Sequence, residues 1–144
     1  MLDEAREKVI RIALHSEPMA VRRALKGLFS TRSLRRLHVD QRGTAEIVLA
    51  EVLNNVVEHA YADRSGRIEV SVGLHESSLL FTIIDYGVAM PGGTLPQGKL
   101  CELAPGTDLP EGGFGWHMIR ALAKEIAYRR LGNRNELSFR LDLG

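Results

Sequence analysis

The stretch AEVLNNVVEHAY, residues 50–61, combines an apolar helical period with a polar residue at every fourth position. Glu51, Asn55 and His59 each advance by about 400° around a helix axis, so we expect them to share one slowly drifting stripe. At about 1.5 Å per residue, Glu51 lies about 6 Å from Asn55 along the axis and about 12 Å from His59. Glu51 and Asn55 can therefore share one metal ion or water, whereas Glu51 and His59 cannot both contact one reacting atom.

An amide oxygen beside a carboxylate suits Mg²⁺, a hard cation that keeps several waters and is completed by nucleotide phosphates. The carboxylate of Glu51 is then free to act as a general base. Two alternatives stay open. Asn55 can be a core amide satisfied by the backbone, with Glu51 and His59 as ordinary exposed residues, and Asn54 and Glu58 form a competing pair at the same spacing.

The helix that contains this stretch is expected to begin near Asp40, which can act as its N-cap. Its apolar positions follow a 3.6-residue period, and Asn55 is the one polar exception on that stripe. These apolar positions are Ile47, Val48, Val52, Val56 and Ala60.

The segments on either side predict a sheet with helices on one face. We expect strands at 9–14, 127–131 and 136–143. Two further strands, RIEVSVGL and LLFTIID, are expected to form an antiparallel hairpin. Ser16, Glu17 and Pro18 supply an N-cap and a first-turn proline for a helix that runs to about Phe29. The order β-α-α-β-β-loop-α-β-β then predicts an α/β two-layer sandwich.

Two further signals lie in this framework. Asp85 ends the apolar run LLFTII and is followed by Tyr86 and Gly87. A carboxylate at the end of a buried strand needs a donor, which an adenine amino group can supply if Gly87 lets the base approach the backbone. The alternative is an aspartate that caps the next turn.

The second signal is GGFG, residues 112–115, before a helix that we expect Gly115 to open. Glycines there expose backbone N–H groups next to the positive end of a helix dipole, which together form a phosphate cradle. The alternative is a flexible helix entry. The 27 residues from Gly87 to Gly113 are too long for a routine connection and are typical of a lid or binding loop.

Length, composition and charge limit the kinds of protein that this chain can be. The chain has 144 residues, 44% of them hydrophobic, which predicts one domain with a buried core. Its net charge of +1 divides into +4 for residues 1–40, −6 for 41–116 and +3 for 117–144. No apolar run approaches a membrane span, no DNA-binding motif is present, and one cysteine, Cys101, cannot form an internal disulfide. We therefore expect a cytoplasmic protein with no direct contact to nucleic acid or membrane.

The order of these motifs resembles the ATPase and kinase superfamily that includes gyrase, heat-shock chaperone ATPases and histidine kinases. The chain is most similar to the small bacterial anti-sigma-factor serine kinases, through residues 50–61, IIDYGVAMP (83–91) and EGGFGWHMIRALAKEIAY (111–128). This resemblance implies the histidine-kinase-like ATPase (Bergerat) fold, with a mixed, mostly antiparallel sheet, in a single domain over 1–144 with an ATP lid at about 88–112.

The resemblance also implies roles for single residues with ATP and Mg²⁺ as cofactors. Glu51 would be the general base, Asn55 would hold Mg²⁺, and His59 would lie toward the phosphates or the lid. Asp85 would accept from the adenine amino group, and Gly87 would shape the base pocket. The phosphate loop would consist of Gly113, Phe114 and Gly115. Two positions depart from the family pattern: Ala89, where a second glycine is frequent, and Trp116, where leucine is common.

The implied function is an ATP-dependent kinase that sequesters a sigma factor and phosphorylates a serine or threonine of an anti-anti-sigma protein. The alternative is a non-catalytic, ATP-sensing protein-binding module in the same kind of partner-switching pathway. The resemblance further suggests a homodimer. The basic positions Arg22, Arg23 and Lys26 of the first helix could meet an acidic sigma-factor surface or a second copy, or could simply be solvated.

Overall fold

The computed structural model describes residues 8–95 and 113–143, and side chains over 9–95 and 115–143. Its elements in chain order are β1 (Lys8–His15), α1 (Pro18–Phe29), α2 (Arg32–Arg35), α3 (Val39–Asn55), a π-helix (Val56–Ala60), β2 (Arg67–His75), β3 (Ser78–Asp85), a short 3₁₀ turn (Pro91–Gly93), α4 (Gly113–Leu122), β4 (Lys124–Leu131) and β5 (Arg134–Asp142). Among these elements, no helix has the length and apolar character that a membrane crossing requires.

The five strands form one sheet in the order β1-β2-β3-β5-β4. All four strand pairings of the described residues are antiparallel. The expected antiparallel sheet is therefore confirmed, whereas its expected mixed character is wrong, because this part of the chain contains no parallel pair. The predicted hairpin is β2 and β3, whose turn is closed by the pair His75 and Ser78. Because consecutive residues of a strand point to opposite faces, each strand offers the helices one apolar face.

The core lies between that face and the helices. Phe81 and Phe139, direct partners across β3 and β5, stack at the centre with their ring centroids 4.8 Å apart. Around them, buried aliphatic residues from β2, β3 and β5 meet those of α1, α3 and α4 in one cluster. The opposite face of the sheet carries half-buried polar residues, such as the register partners Ser71, Thr82 and Ser138. The two-layer sandwich with helices on one face is therefore confirmed.

Helix α1 begins at Pro18 and ends at Phe29 as expected, whereas the start of α3 differs from the expectation. The N-cap residue of α1 is Glu17, whose side chain makes no capping hydrogen bond. Ser16 is not available as the cap, because its N–H donates to the Gly66 carbonyl oxygen and its hydroxyl accepts from the Gly66 N–H. Helix α3 begins at Val39, and its N-cap is His38, so the expected cap at Asp40 is wrong. His38 Nδ1 accepts from the Asp40 N–H, and the His38 N–H donates to Oε1 of Gln41 in return.

The helix that carries the polar stripe changes its pitch at Asn55. Residues 56–60 form a π-helix, in which each N–H bonds five residues back, and Tyr61 N–H donates to Val56 O in that pattern. The expected α-helical step from Asn55 to His59 is therefore wrong, because a π turn rotates less per residue. The expected place of Ile47 on the buried stripe is also wrong, since Ile47 is 53% exposed.

The second half of the chain follows the expected order with longer elements. Helix α4 begins at Gly113, two residues before the expected start at Gly115. The strands 127–131 and 136–143 are β4 and β5, and their turn is reduced to Gly132 and Asn133, with Gly132 at φ 60°. Most of the expected lid, residues 96–112, lies outside the described residues, as does Cys101.

The turn that follows β3 packs directly on the end of the π-helix. The Val88 N–H donates to Ala60 O at 2.9 Å, which brings the backbone of Gly87 against Ala60. A Cβ added at Gly87 would lie 2.2 Å from the Ala60 carbonyl oxygen and 2.8 Å from the Ala60 Cβ. Glycine is required at position 87 because the backbone of Ala60 lies too close for any side chain, and a backbone carbonyl cannot rotate away as a side chain could.

We predict that Gly87→Ala lowers the free energy of unfolding by about 2 kcal/mol or more, the range of an overpacked interior site. Gly43→Ala is the matched control, because a Cβ at Gly43 in α3 meets nothing within 4 Å. That control should raise stability by about 0.5–1 kcal/mol through helix propensity. Urea unfolding of both variants makes the comparison, and equal effects would contradict the described packing of Gly87.

Candidate functional site

A cavity of about 420 Å³ opens between the end of α3 with its π-helix, the ends of β3, β4 and β5, and the segment after β3. Five polar side chains line it: Asn55, His59, Asp85, Tyr128 and Asn135. The rest of its wall is apolar and consists of Val52, Val56, Ala60, Val88, Ala89, Met90, Pro91, Leu95, Trp116 and Leu137. A mostly apolar cleft with a few convergent polar groups is the usual form of a small-molecule site.

Asp85 provides the carboxylate at the deep end of the cavity. It is the last residue of β3, its burial leaves 4% of the residue exposed, and it is the register partner of Asn135 on β5. Asn135 Nδ2 donates to Asp85 Oδ1 at 2.8 Å, and the Gly87 N–H donates to the same oxygen at 2.9 Å. Neither bond uses Oδ2, so this oxygen can accept from a ligand.

Burial raises the pKa of Asp85 above its ordinary value of 3.8, because an apolar wall disfavours the charged form. The hydrogen bonds from Asn135 and Gly87 and the nearby charge of Arg130 act in the opposite direction and lower the pKa. A carboxylate held in an apolar cavity with a free acceptor oxygen is suited to a ligand N–H donor.

Asn55 lines the same cavity and is the last residue of α3. It is 5% exposed, and its Nδ2 has no hydrogen-bond partner within the described residues. Rotation of the amide by 180° exchanges Nδ2 and Oδ1, so either atom can face the cavity. Leaving a buried polar atom unpaired costs about 1–3 kcal/mol, which a ligand that bonds it would recover.

Glu51 and Asn55 meet the first turn of α4. A Cβ added at Gly115 would lie 2.6 Å from Glu51 Oε2 and 3.8 Å from Asn55 Nδ2. The structure therefore brings Glu51, Asn55 and Gly115 together, although 60 residues separate Asn55 from Gly115 in the chain. Any side chain at Gly115 would displace the flexible carboxylate of Glu51. Because Gly115 is the third residue of α4, the Glu51 carboxylate lies beside the positive end of the α4 dipole.

The other sequence-predicted residues are distributed around the same cavity. His59 is exposed and lines the wall from the π-helix. Gly87 does not line it and acts through its packing on Ala60. Gly113 and Phe114 are the first two residues of α4, and the Phe114 side chain lies outside the described side chains. Trp116, 2% exposed, forms part of the apolar wall.

Sequence reasoning missed Asn135 and Tyr128. Asn135 was expected in the turn between the last two strands, whereas β5 includes it and pairs it with Asp85. Tyr128 lies on β4, and its hydroxyl donates to Asn135 Oδ1 at 2.5 Å and accepts from the Met90 N–H. Alternation along YRRLGNRNELSF could have placed Tyr128 and Leu137 on one face, but only the strand register reveals that Asn135 faces Asp85.

The residues present fit a nucleotide with its divalent cation. Within residues 8–95 and 113–143, no group of three or more His, Cys, Asp or Glu side chains is arranged to hold a metal ion. The cation of a nucleotide takes most of its ligands from phosphates and water and needs only one or two from the protein. Rotation of the Asn55 amide would put Oδ1 in the place of the unpaired Nδ2, and this oxygen, with Glu51 and the start of α4 beside it, would be such a ligand.

Comparison with known proteins identifies relatives of this chain. A family model described as a histidine kinase-like ATPase domain matches residues 14–141. A serine-protein kinase RsbW of Bacillus mycoides (strain KBAB4) is 34% identical over 83 residues, which cover 56% of this chain and 52% of that protein. The RsbW of Bacillus thuringiensis (strain Al Hakam) is 32% identical over the same length. The matched region spans about half the length of these relatives.

Two solved structures share the fold. The crystal structure of the RsbU and RsbW domains of Rv1364c from Mycobacterium tuberculosis matches with a TM-score of 0.63 and 19% identity, and covers 94% of this chain and 32% of that chain. The histidine kinase domain of the blue-light activated kinase EL346 from Erythrobacter litoralis matches with a TM-score of 0.55 and 18% identity over 88% of this chain and 60% of that chain. At these identities the likeness establishes the fold alone.

The raised pKa of Asp85 predicts a pH dependence of stability. Because the folded chain binds this proton more tightly than the unfolded chain does, the contribution of Asp85 to the free energy of unfolding falls as pH rises from 3.8 to the raised pKa. In Asp85→Asn the group is absent. The stability of the unsubstituted chain minus that of Asp85→Asn should therefore decrease over this window, by at most about 1.4 kcal/mol per pH unit, and stay constant above it.

Urea unfolding of both chains between pH 4 and 7 tests this prediction. The other carboxylates contribute equally to both chains and cancel in the difference. A difference that rises with pH would show that Asp85 is stabilised as a carboxylate in the nucleotide-free fold, contrary to the burial described above.

Proposed function

Since the chain belongs to the histidine kinase-like ATPase domain family, we propose that its cavity binds ATP and that the chain is a serine/threonine kinase with anti-sigma-factor activity. The observation that carries the proposal is that one mostly apolar cavity is lined by two polar groups, Asp85 and Asn55, whose hydrogen-bonding capacity the described residues do not use up. Asp85 Oδ2 accepts from none of the described residues, and Asn55 Nδ2 is buried without a partner among them. An adenine amino group fits the first, and the phosphates with their cation fit the second.

In this proposal Asn55 holds Mg²⁺, which would neutralise phosphate charge as it builds up during phosphoryl transfer. Gly113, Phe114 and Gly115 begin α4, so the N–H groups of its first turn and the helix dipole are available to the phosphates. His59, exposed at the cavity wall, lies on the side of the π-helix where the phosphates or the lid would pass. The apolar residues of the cavity wall exclude water from the base.

Glu51 is the proposed general base. Its carboxylate takes the proton from a serine or threonine hydroxyl of a partner protein, and the hydroxyl oxygen forms a bond to the γ-phosphorus. The bond from that phosphorus to the bridging oxygen of the β-phosphate breaks, and ADP leaves with the electron pair. Glu51 does not line the cavity itself, but it is half-buried and lies against Gly115 beside Asn55, so it is close to the proposed phosphate site and still accessible to a partner.

The partners follow from the family resemblance. We propose that the phosphorylated partner is a small anti-anti-sigma protein and that the sequestered partner is a sigma factor, in a cytoplasmic partner-switching pathway. The exposed basic residues Arg22 and Arg23 of α1 suit an acidic sigma-factor surface. Arg23 has a distant ion pair with Glu17 at 3.8 Å, which leaves most of its charge available. The proposal includes a homodimer as the working assembly.

We predict that Asn55→Ala and Glu51→Gln separate binding from chemistry. Asn55→Ala should abolish the Mg²⁺-dependent part of ATP binding, followed by the fluorescence of Trp116 in the cavity wall. Glu51→Gln should bind ATP within about twofold of the unsubstituted chain and lower phosphotransfer to the partner by about 10²–10⁴-fold, the usual cost of losing a general base.

The matched controls are Asn54→Ala and Glu58→Gln, the competing pair at the same spacing, because neither residue lines the cavity or is among the atoms nearest to Gly115. Both should bind ATP and transfer phosphate normally. If Glu51→Gln transfers phosphate at the normal rate, Glu51 is not the base. If the unsubstituted chain binds ATP but phosphorylates no antagonist protein, the non-catalytic, ATP-sensing module becomes the better account.

A further inference from the structure

A polar row crosses the end of the sheet beside the cavity. Asp85 on β3 pairs in register with Asn135 on β5, and Asn135 pairs with Arg130 on β4. All three residues belong to the face of the sheet that carries the helices, in the row next to Ile83, Leu137 and Tyr128. Arg130 is therefore two strands away from Asp85 and lies on the edge strand, outside every motif found in the sequence.

Arg130 binds the turn that follows Asp85. Its Nη1 donates to the Gly87 carbonyl oxygen at 2.7 Å and to Asn135 Oδ1 at 3.1 Å. Asn135 Nδ2 in turn donates to Asp85 Oδ1 and to the Val88 carbonyl oxygen at 2.8 and 2.9 Å. Arg130 thus holds both the turn and the amide that orients Asp85. Its Nε is occupied by Gly132 O at 3.1 Å, which fixes the guanidinium plane on β4.

We propose that Arg130 is a positioning residue of the nucleotide site: it holds the turn at Gly87 and the amide of Asn135 so that Asp85 presents Oδ2 to the base. This inference rests on the proposed function, because it assigns Oδ2 to a nucleobase. Arg130 does not line the cavity and acts through Asn135 and Gly87. Its role is distinct from that of Asp85, which contacts the ligand.

Arg130 also supplies the cationic charge that acts on Asp85. The groups that face or share the cavity with Asp85 are Arg130 from β4, Tyr61 after the π-helix, Tyr128 from β4 and His59 from the π-helix. Burial raises the pKa of Tyr61, so it stays neutral near pH 7. The charge of Arg130 lowers the pKa of Asp85 against the effect of burial. Loss of this charge should therefore leave Asp85 protonated at a higher pH.

The chain offers a matched control in the neighbouring residue. Arg129 precedes Arg130 on β4 and points to the opposite face, where its Nη2 binds Glu136 Oε1 at 2.9 Å in an exposed ion pair. Arg130→Gln removes both the positive charge and the guanidinium group that makes the hydrogen bonds. Arg130→Lys keeps the charge but lacks the guanidinium group. Arg129→Gln changes the net charge by the same amount on the opposite face of the sheet. Unfolding temperatures of all three variants establish that each is folded.

Two measurements are made on the full chain. Calorimetry gives the dissociation constant of ADP between pH 5 and 8, and carbon-13 NMR of the nucleotide-free chain follows the titration of the Asp85 carboxyl carbon. Arg130→Gln should weaken ADP binding about tenfold at pH 7.5 and raise the midpoint of the Asp85 titration. Because protonated Asp85 no longer offers a carboxylate to the base, the pH below which ADP affinity falls should also be higher in this variant. Arg130→Lys should weaken binding with an unchanged midpoint, and Arg129→Gln should change neither quantity.

The outcomes separate this inference from the proposed function. If the unsubstituted chain binds no ADP, the proposed function fails and the inference fails with it. If that chain binds ADP and Arg130→Gln has the same affinity and the same Asp85 midpoint, the inference alone is overturned. If Arg130→Gln does not fold, Arg130→Lys decides: affinity equal to that of the unsubstituted chain would overturn the positioning role.

Discussion

The carboxylate of Asp85 is buried at the end of β3, and within residues 8–95 and 113–143 only its Oδ1 accepts a hydrogen bond. Burial of a charge in an apolar wall is costly, so the surrounding residues are arranged to support it. Asn135 is in register with Asp85 because β3 and β5 are neighbours, and the turn at Gly87 supplies a backbone donor to the same oxygen. The remaining oxygen is the reason this end of the sheet is suited to a ligand.

The position of that carboxylate relative to the helix depends on one close approach. Gly87 packs on Ala60, and the Val88 N–H bonds Ala60 O, so the turn after β3 is attached to the end of the π-helix. The π-helix continues α3 without a break after Asn55. The distance across the cavity is thereby set by contacts between backbones. In the proposed binding mode the base would lie at Asp85 and the phosphates would lie where Glu51 and Asn55 meet α4.

Local patterns predicted much of this arrangement. The hairpin, α1 and the step from Glu51 to Asn55 follow from periodicity within single segments, and Asp85 stands out as a charge that ends an apolar strand. The π-helix was not predictable, because VVEHA has no feature that separates an added residue per turn from a regular helix. His38 as the cap was missed for a related reason, since its reciprocal bond with Gln41 depends on the local geometry and not on residue type alone.

The relation of Asn135, Tyr128 and Arg130 to Asp85 could not be found from one sequence, because it depends on the pairing of β5 with β3, which places Asn135 beside a residue 50 positions earlier in the chain. The same holds for Gly115, whose contact with Glu51 joins two helices. Motifs of one segment predicted the chemistry of the site, whereas the pairing of segments determines which side chains orient it. The family match over residues 14–141 supports the fold without identifying these additional residues.

The central claim is that Asp85 selects an adenine nucleotide. Adenine offers an amino donor at the position where guanine carries a carbonyl oxygen, so guanine would set an acceptor against the Asp85 carboxylate. Calorimetric titration of the unsubstituted chain with ADP and then with GDP, both with Mg²⁺, tests this directly. The account predicts one ADP per chain and GDP binding weaker by more than about a hundredfold. Equal affinities for the two nucleotides, or binding of neither, would contradict it.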